Sequence, residues 1–161
     1  MSGPWTTSIN YTVIDATYGD TFVAFSPNHP LAANDSVLVR SGASIPGIPK
    51  HNAKLQLDYQ WSNAFSLGAN ANYGSGVYLR GDEANLDKKT NGYINCNAWA
   101  SWQVMPALAL QLEIYNVFDR ENERFGLYGE PDEVIDNIDD NPRFLSPAAP
   151  RSANVSLRFD W

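Results

Sequence analysis

Apolar and polar residues alternate along six segments of this 161-residue chain. A period of two places successive side chains on opposite faces, which is typical of β-strands with one apolar and one polar face. We therefore predict six strands, at residues 5–18, 52–60, 65–73, 93–104, 108–115 and 151–161. Because no segment shows the helical period, the pattern predicts an all-β chain.

The last predicted strand shows the alternation most clearly. One of its faces carries Ala153, Val155, Leu157, Phe159 and Trp161, and the other carries Ser, Asn, Arg and Asp. Residues 151–161 also match the ~9–11 residues that a tilted strand needs to cross a bilayer. The strand is therefore long enough to cross a membrane.

The connections between the predicted strands alternate in length. Long segments at 19–48, 74–92 and 119–150 are rich in Pro, Gly, Asn, Ser or charged residues, and we predict irregular loops there. The other two connections, around 61–64 and 105–107, are short. An antiparallel up-and-down meander of six strands follows, with the alternation of tight turns and long loops that is typical of outer-membrane barrels.

Aromatic residues collect near the ends of the predicted strands, and Leu, Ala and Val fill the middles. Two lipid–water interfaces select such belts. A soluble two-sheet sandwich, the alternative fold, also alternates but has no reason to form two belts. The belt near the short turns comprises Trp5, Tyr59, Phe65, Trp102, Phe159 and Trp161, and the belt near the long loops comprises Tyr18, Tyr73, Tyr93 and Phe118.

The composition excludes several classes of protein. A net charge of −7 argues against nucleic-acid binding, which needs a basic surface. The single cysteine, Cys96, excludes an internal disulfide, and we expect it to face lipid. The first residues show no basic or apolar segment of a signal peptide. The chain is thus either cytosolic or a piece of a longer protein.

Few residues suggest chemistry. The segment 119–150 holds nine acidic and three basic residues. We interpret it as a solvated acidic loop, and a cation site around Asp136, Asp139 and Asp140 is the weaker alternative. We expect His29 and His51 to be solvated loop residues rather than metal ligands. No nucleophile–base pair or nucleotide fingerprint occurs, so we expect neither an enzyme nor a bound cofactor.

Three motifs resemble a known family. They are Ile-Pro-Gly-Ile-Pro-Lys-His at 45–51, Asn-Val-Phe-Asp at 116–119, and Pro-Ala-Ala-Pro-Arg at 147–151 before the last strand. Together they resemble the C-terminal part of TonB-dependent receptors, the outer-membrane transporters of Gram-negative bacteria. The resemblance implies that residues 1–161 are the last six strands of a 22-stranded transmembrane β-barrel, without the plug domain and the earlier strands.

The same resemblance implies a function and partners. Such receptors take up a scarce nutrient, such as a ferric siderophore, haem or cobalamin, and contact outer-membrane lipid and, through the missing N-terminal part, TonB. Val155, Leu157, Phe159 and Trp161 resemble the signal that the barrel-assembly machinery recognises by strand addition.

Other residues gain weaker expectations from the resemblance. Arg124, Phe125 and Tyr128 are candidates for ligand contact at the outer mouth, against the simpler interpretation that they pack within a loop. Tyr93 and Trp99 face the predicted lumen, where they stack on a plug or substrate or pack against neighbouring side chains. The alternative function is that of a small soluble β-sandwich module that binds a ligand or a carbohydrate.

Overall fold

The computed structural model describes residues 4–130 and 142–160, which form ten β-strands. The strands are β1 (Trp5–Val13), β2 (Phe22–Phe25), β3 (Ser36–Val39), β4 (His51–Gln60), β5 (Phe65–Gly74), β6 (Tyr93–Met105), β7 (Leu108–Tyr115), β8 (Glu123–Tyr128), β9 (Arg143–Pro147) and β10 (Ser152–Phe159).

Six of these strands form one antiparallel sheet in the order β1-β4-β5-β6-β7-β10. This arrangement confirms the predicted six-stranded meander, although the first strand ends at Val13 rather than at residue 18. Tight turns at 61–64 and 106–107 join β4 to β5 and β6 to β7. We call this edge the short-turn end and the opposite edge, where the long connections lie, the long-loop end.

The strand register places the predicted apolar positions that it pairs within the described residues on one face. Leu57 lies opposite Ala69, which in turn lies opposite Ala98 on the next strand. At the edge of the sheet formed by β7 and β10, Leu112 lies opposite Val155 and Leu110 lies opposite Leu157. Residues that face each other across neighbouring strands share a face. The sheet therefore has one apolar face and one polar face, as the sequence pattern predicts.

The prediction of irregular loops was wrong for two of the three long segments. The first contains the hairpin β2–β3, in which Val23 lies opposite Leu38, and the third contains the hairpin β8–β9, in which Leu127 lies opposite Phe144. These strands are only four to six residues long. Strands of this length contain too few residues to show a period of two, so a search for alternation does not find them. Their pairing with a more distant segment becomes visible only in the structure.

The buried apolar core lies at the long-loop end, outside the six-stranded sheet. Its members are Val37, Val39, Val77, Leu79 and Tyr128. The apolar face of the sheet is exposed instead: Ile9 on β1 is 72% exposed and Leu157 on β10 is 70% exposed. Within the described ranges no second sheet covers this face, so the alternative prediction of a two-sheet sandwich was wrong. Residues 4–130 and 142–160 contain no helix of the length and hydrophobicity that a membrane crossing requires.

Candidate functional site: the polar face and the loop assembly above it

Amide side chains dominate the polar face of the sheet near its long-loop end. A pocket of about 420 Å³ opens there between β4, β5 and β6. Two cationic side chains, Lys54 from β4 and Arg124 from β8, lie at its wall. Hydrogen-bonding amides and positive charge favour a polar, anionic ligand. The remaining lining residues are Asn52, Ala53, Asn72, Tyr73, Tyr93, Asn95 and Asn97.

The amides of this face form a network across strands. Oδ1 of Asn70 accepts hydrogen bonds from Nδ2 of Asn72 at 3.0 Å and from Nδ2 of Asn97 at 2.9 Å. Oδ1 of Asn97 in turn accepts the backbone N–H of Asn116, which follows β7. Oδ1 of Asn95 is buried in the pocket wall without a hydrogen-bond partner in the described part of the chain. A buried amide oxygen in this state is an acceptor that a ligand can satisfy.

Two aromatic side chains of the polar face cover glycines on the neighbouring strand. A Cβ at Gly68 would meet Nε1 of Trp99 at 2.4 Å, and a Cβ at Gly74 would meet Cε1 of Tyr93 at 2.4 Å. Aromatic rings over cross-strand glycines restore the packing that a missing side chain removes. Of the two interpretations of Tyr93 and Trp99, the structure therefore shows packing within the sheet.

The three long connections join into one unit, which we call the loop assembly and define as residues 14–50, 75–92, 116–130 and 142–151. The backbone N–H of Gly47 donates to the carbonyl of Tyr78, and the backbone N–H of Arg80 donates to the carbonyl of Gly126, each at 3.0 Å. The side chain of Asn85 bonds both the N–H and the carbonyl of Ser44. The middle connection thus holds the first and the third.

Asp82 is the centre of the loop assembly, and only 1% of it is exposed. Its Oδ1 accepts from Nε2 of His29 at 3.1 Å and from the backbone N–H of Leu86 at 2.7 Å, and its Oδ2 accepts from the backbone N–H of Asp87 at 3.1 Å. A buried carboxylate is tolerated when such donors satisfy it. One side chain therefore fixes two connections at once.

The prediction that His29 is solvated was wrong, because only 3% of this residue is exposed. Its Nδ1 accepts the backbone N–H of Leu31 at 3.0 Å, so the proton of the neutral ring lies on Nε2 and is donated to Asp82. The ring also packs edge-on against Tyr128 at 4.8 Å. His51 is half-buried on β4, with Nδ1 at a hydrogen-bond distance of 2.8 Å from the hydroxyl of Tyr11.

A second carboxylate, Asp87, ties the third connection to the second. It accepts hydrogen bonds from the hydroxyl of Tyr128 and from the guanidinium of Arg143. Burial alone would raise the pKa of Asp87, but hydrogen bonds from Tyr128 and from the backbone of Lys88, with the charge of Arg143, outweigh it and lower the pKa. The pKa of Tyr128 is raised, first by burial and then by Asp87.

The structure separates the three residues predicted at the outer mouth. Arg124 lies over the ring of Tyr93, 4.7 Å from its centroid, at the wall of the polar pocket. Phe125 is 37% exposed, whereas Tyr128 is buried in the core of the loop assembly. Arg124 thus lies where a ligand can reach it, and Tyr128 holds the loops together. The sequence does not single out Lys54 and Asn95, although both line the pocket. The alternation assigns residues to the polar face but does not show which of them lie at a pocket.

Two of the quoted motifs meet at the long-loop end of β7 and β10. Asn116 has a positive φ of 50°, and its Nδ2 donates to the carbonyls of Arg120 and Ala149. Asp119 accepts the backbone N–H of Arg151 at 2.9 Å through Oδ1. Asn and Asp tolerate this left-handed conformation better than other residues with side chains. The motifs therefore close the last connection at the start of β10.

Two predictions lie partly or wholly outside the described residues. Trp161 is not described, whereas Val155, Leu157 and Phe159 lie on the exposed apolar face of β10, with Phe159 59% exposed. The acidic residues Asp136, Asp139 and Asp140 of the weaker cation-site prediction also lie outside the described ranges.

A meander of membrane-crossing length, with one apolar and one polar face and long connections at one end only, defines a segment of an outer-membrane β-barrel. The family model described as "TonB dependent receptor-like, beta-barrel" matches residues 1–117. The chain belongs to this family, which confirms the resemblance. Its members are outer-membrane proteins of Gram-negative bacteria, so the outer membrane is the location of this chain, and they are transport receptors rather than enzymes.

Solved structures of receptors share the fold. The siderophore receptor PiuA from Acinetobacter baumannii matches 99% of this chain with 20% of its own length, at 22% identity and a TM-score of 0.72. The ferric yersiniabactin uptake receptor FyuA from Yersinia pestis matches 99% with 21% of its length, at 17% identity and a TM-score of 0.66. The ferric-catecholate import receptor Fiu from E. coli K12 matches 98% with 19% of its length, at 22% identity and a TM-score of 0.63.

The chain therefore spans about a fifth of the length of these receptors. At such identities the likeness shows the fold alone. No curated protein sequence matches the chain.

Proposed function

We propose that this chain is the last part of a 22-stranded barrel that imports a scarce nutrient across the outer membrane, with energy supplied through TonB. Residues 1–161 provide six strands, and a longer receptor provides the plug domain and the other sixteen. The polar face lines the lumen, the apolar face contacts lipid, and the loop assembly forms part of the outer mouth.

The observation that carries this proposal is the family match together with the two open edges of the sheet. Within residues 4–130 and 142–160, β1 pairs only with β4 and β10 only with β7, and both strands are exposed along their length. Free backbone N–H and C=O groups at such edges are not tolerated in hydrocarbon, so each edge needs a further strand. A barrel closed by additional strands supplies both.

A ferric siderophore or a similar oxygen-rich anionic complex fits the polar pocket best among the nutrients that such receptors carry. Lys54 and Arg124 offer positive charge to the anionic oxygens, and Oδ1 of Asn95 offers an acceptor for a hydroxyl or amide N–H of the same ligand. Charge-assisted hydrogen bonds from cationic side chains to anionic oxygens contribute ~1.5–3 kcal/mol each. Two solved relatives by fold are receptors for ferric complexes, according to their names.

Assembly of the receptor would use the last strand. β10 is an open edge, where strand addition by the barrel-assembly machinery forms main-chain hydrogen bonds. Val155, Leu157 and Phe159 give this edge strand an apolar face, and Trp161 remains part of the predicted signal.

Ligand binding by the receptor that contains this chain tests the proposal. Ferric siderophores of different chemistry, haem and cobalamin are titrated into the purified receptor while its tryptophan fluorescence is recorded. We expect a ferric siderophore to bind, and the double variant Lys54→Ala/Arg124→Ala to weaken its Kd about tenfold or more. Arg40→Ala, which removes an exposed cation elsewhere in the loop assembly, is the matched control. Binding of haem or cobalamin alone would contradict the substrate class.

A further inference from the structure

Two apolar depressions lie end to end on the apolar face of the sheet. The first has a volume of about 490 Å³ and the second about 230 Å³. They share Leu57, Ala69 and Ala98, so they form one continuous groove. We call it the apolar groove.

Small residues on neighbouring strands create the floor of the groove. Ala69 of β5 lies opposite Ala98 of β6, and Ala71 lies opposite Cys96. Larger side chains stand on both sides, with Leu57 on β4 and Leu112 on β7. Because side chains on one face of a sheet stand side by side, a block of alanines between leucines leaves a trough.

Aromatic side chains surround the groove at the short-turn end. Trp5 and Tyr59 pack with ring centroids 4.4 Å apart, and Tyr59 meets Trp61 edge-on at 5.9 Å. Trp and Tyr in this position occupy the headgroup level of a membrane interface, where the ring is in contact with hydrocarbon and its polar atom with water. The groove thus begins at an interface and runs into the hydrocarbon core.

The length of the groove matches one leaflet. From Phe65 to Ala71 it follows six residue steps of β5, or roughly 20 Å at ~3.3 Å per residue. A strand tilt of about 40° projects this length to roughly 15 Å along the membrane normal, which is half of the ~30 Å hydrocarbon core. No charged side chain lines either depression.

We propose that the apolar groove binds one acyl chain of a glycerophospholipid from the leaflet at the short-turn end, with the headgroup beside Trp5, Tyr59 and Trp61. The proposal rests on the barrel placement in the proposed function. The occupant is lipid because the groove is continuous with the apolar face of the sheet. Hydrocarbon is the recognised part because the lining is apolar and uncharged, apart from Asn70 and Asn97, whose side chains belong to the amide network of the polar face.

Native mass spectrometry of the receptor that contains this chain, released from a mild detergent, tests the proposal. We expect the wild type to retain one phospholipid and Ala98→Leu, which fills the floor, to lower the lipid-bound fraction about tenfold. Ala153→Leu adds the same volume on the same face outside the groove and should leave retention unchanged.

Heat-modifiable migration of the folded barrel in a gel separates the two proposals. A receptor that shows no heat-modifiable migration would contradict the barrel placement. A folded wild type that retains no lipid, or equal lipid retention in the wild type and Ala98→Leu, would overturn only the proposal that the apolar groove binds an acyl chain. Retention of lipopolysaccharide or of a protein instead would also overturn it. If Ala98→Leu does not assemble, the wild-type receptor is cross-linked to a phospholipid that carries a photoreactive group at the end of an acyl chain. Labelling should concentrate in residues 65–71 and 94–102, and labelling spread uniformly around the barrel would overturn the proposal.

Discussion

Replacing Asp82 should loosen the loop assembly without disturbing the sheet. Asp82→Ala leaves the buried ring Nε2–H of His29 and two part-buried backbone N–H groups without their acceptor. Each unsatisfied donor costs ~1–3 kcal/mol, and because neighbouring losses are not additive we expect a total on the order of 4 kcal/mol. Asp82→Asn keeps the oxygen that serves two donors and loses one contact, so it should cost about 1–2 kcal/mol.

Hydrogen exchange of the receptor in nanodiscs, read by mass spectrometry, measures this effect. A loss of ~4 kcal/mol speeds exchange through local opening about a thousandfold, so peptides that contain the N–H groups of Leu86 and Asp87 should lose their protection in Asp82→Ala. Peptides from β5 and β6 should remain protected. Asp20→Ala removes an exposed carboxylate from the same loop assembly and is the control. Unchanged protection at 86–87 in Asp82→Ala would refute the central role of this side chain.

Three further predictions concern assembly, packing and pH. Trp161→Asp places a charge on the predicted apolar face, so it should impair outer-membrane assembly, and normal heat-modifiable migration would contradict the assembly-signal interpretation. Gly68→Ala puts a Cβ 2.4 Å from Nε1 of Trp99, so it should destabilise the barrel by ~1–3 kcal/mol and shift the tryptophan emission. Gly19→Ala is the control, because open space surrounds Gly19 and no destabilisation is expected. Equal melting temperatures of the two variants would count against the contact between the Trp99 ring and Gly68. Because the pKa of Asp87 is lowered in the folded chain, its contribution to loop stability is present above about pH 4 and is lost as the pH falls through the folded pKa. Limited proteolysis of the loops at decreasing pH measures this loss, and Asp87→Asn should abolish it. An unchanged acid profile in Asp87→Asn would exclude Asp87 as the source of the pH dependence.

The sheet could be predicted from the sequence because its information is local. Each strand of the meander carries its own alternation, and a slip of one residue would turn every apolar side chain to the wrong face. The alternation alone therefore predicts that Leu57, Ala69 and Ala98 share one face, and the strand register confirms this prediction. Only the ends of the strands, such as the end of β1 at Val13, differ from the prediction.

The loop assembly could not be predicted in the same way because its contacts join distant positions. His29 and Asp82 are 53 residues apart, and neither has a periodic pattern beside it. One signal is present in the sequence: Asn34 and Asp35, two residues with positive φ that suit a turn, lie between the apolar runs at 22–25 and 37–39. A search for paired short apolar runs would have indicated the β2–β3 hairpin, though not the partner of its buried face.

The bonds between the three long connections limit how such a receptor can change its specificity. Asn85 satisfies both backbone groups of Ser44. Across the second and third connections, the backbone N–H of Arg80 donates to the carbonyl of Gly126, and the carbonyl of Arg80 accepts the backbone N–H of Tyr128. Transplanting one connection from a related receptor would leave the acceptors and donors of the other two unmatched. These outer segments should therefore be inherited and exchanged as a set, and an engineered receptor with new specificity should receive all three together.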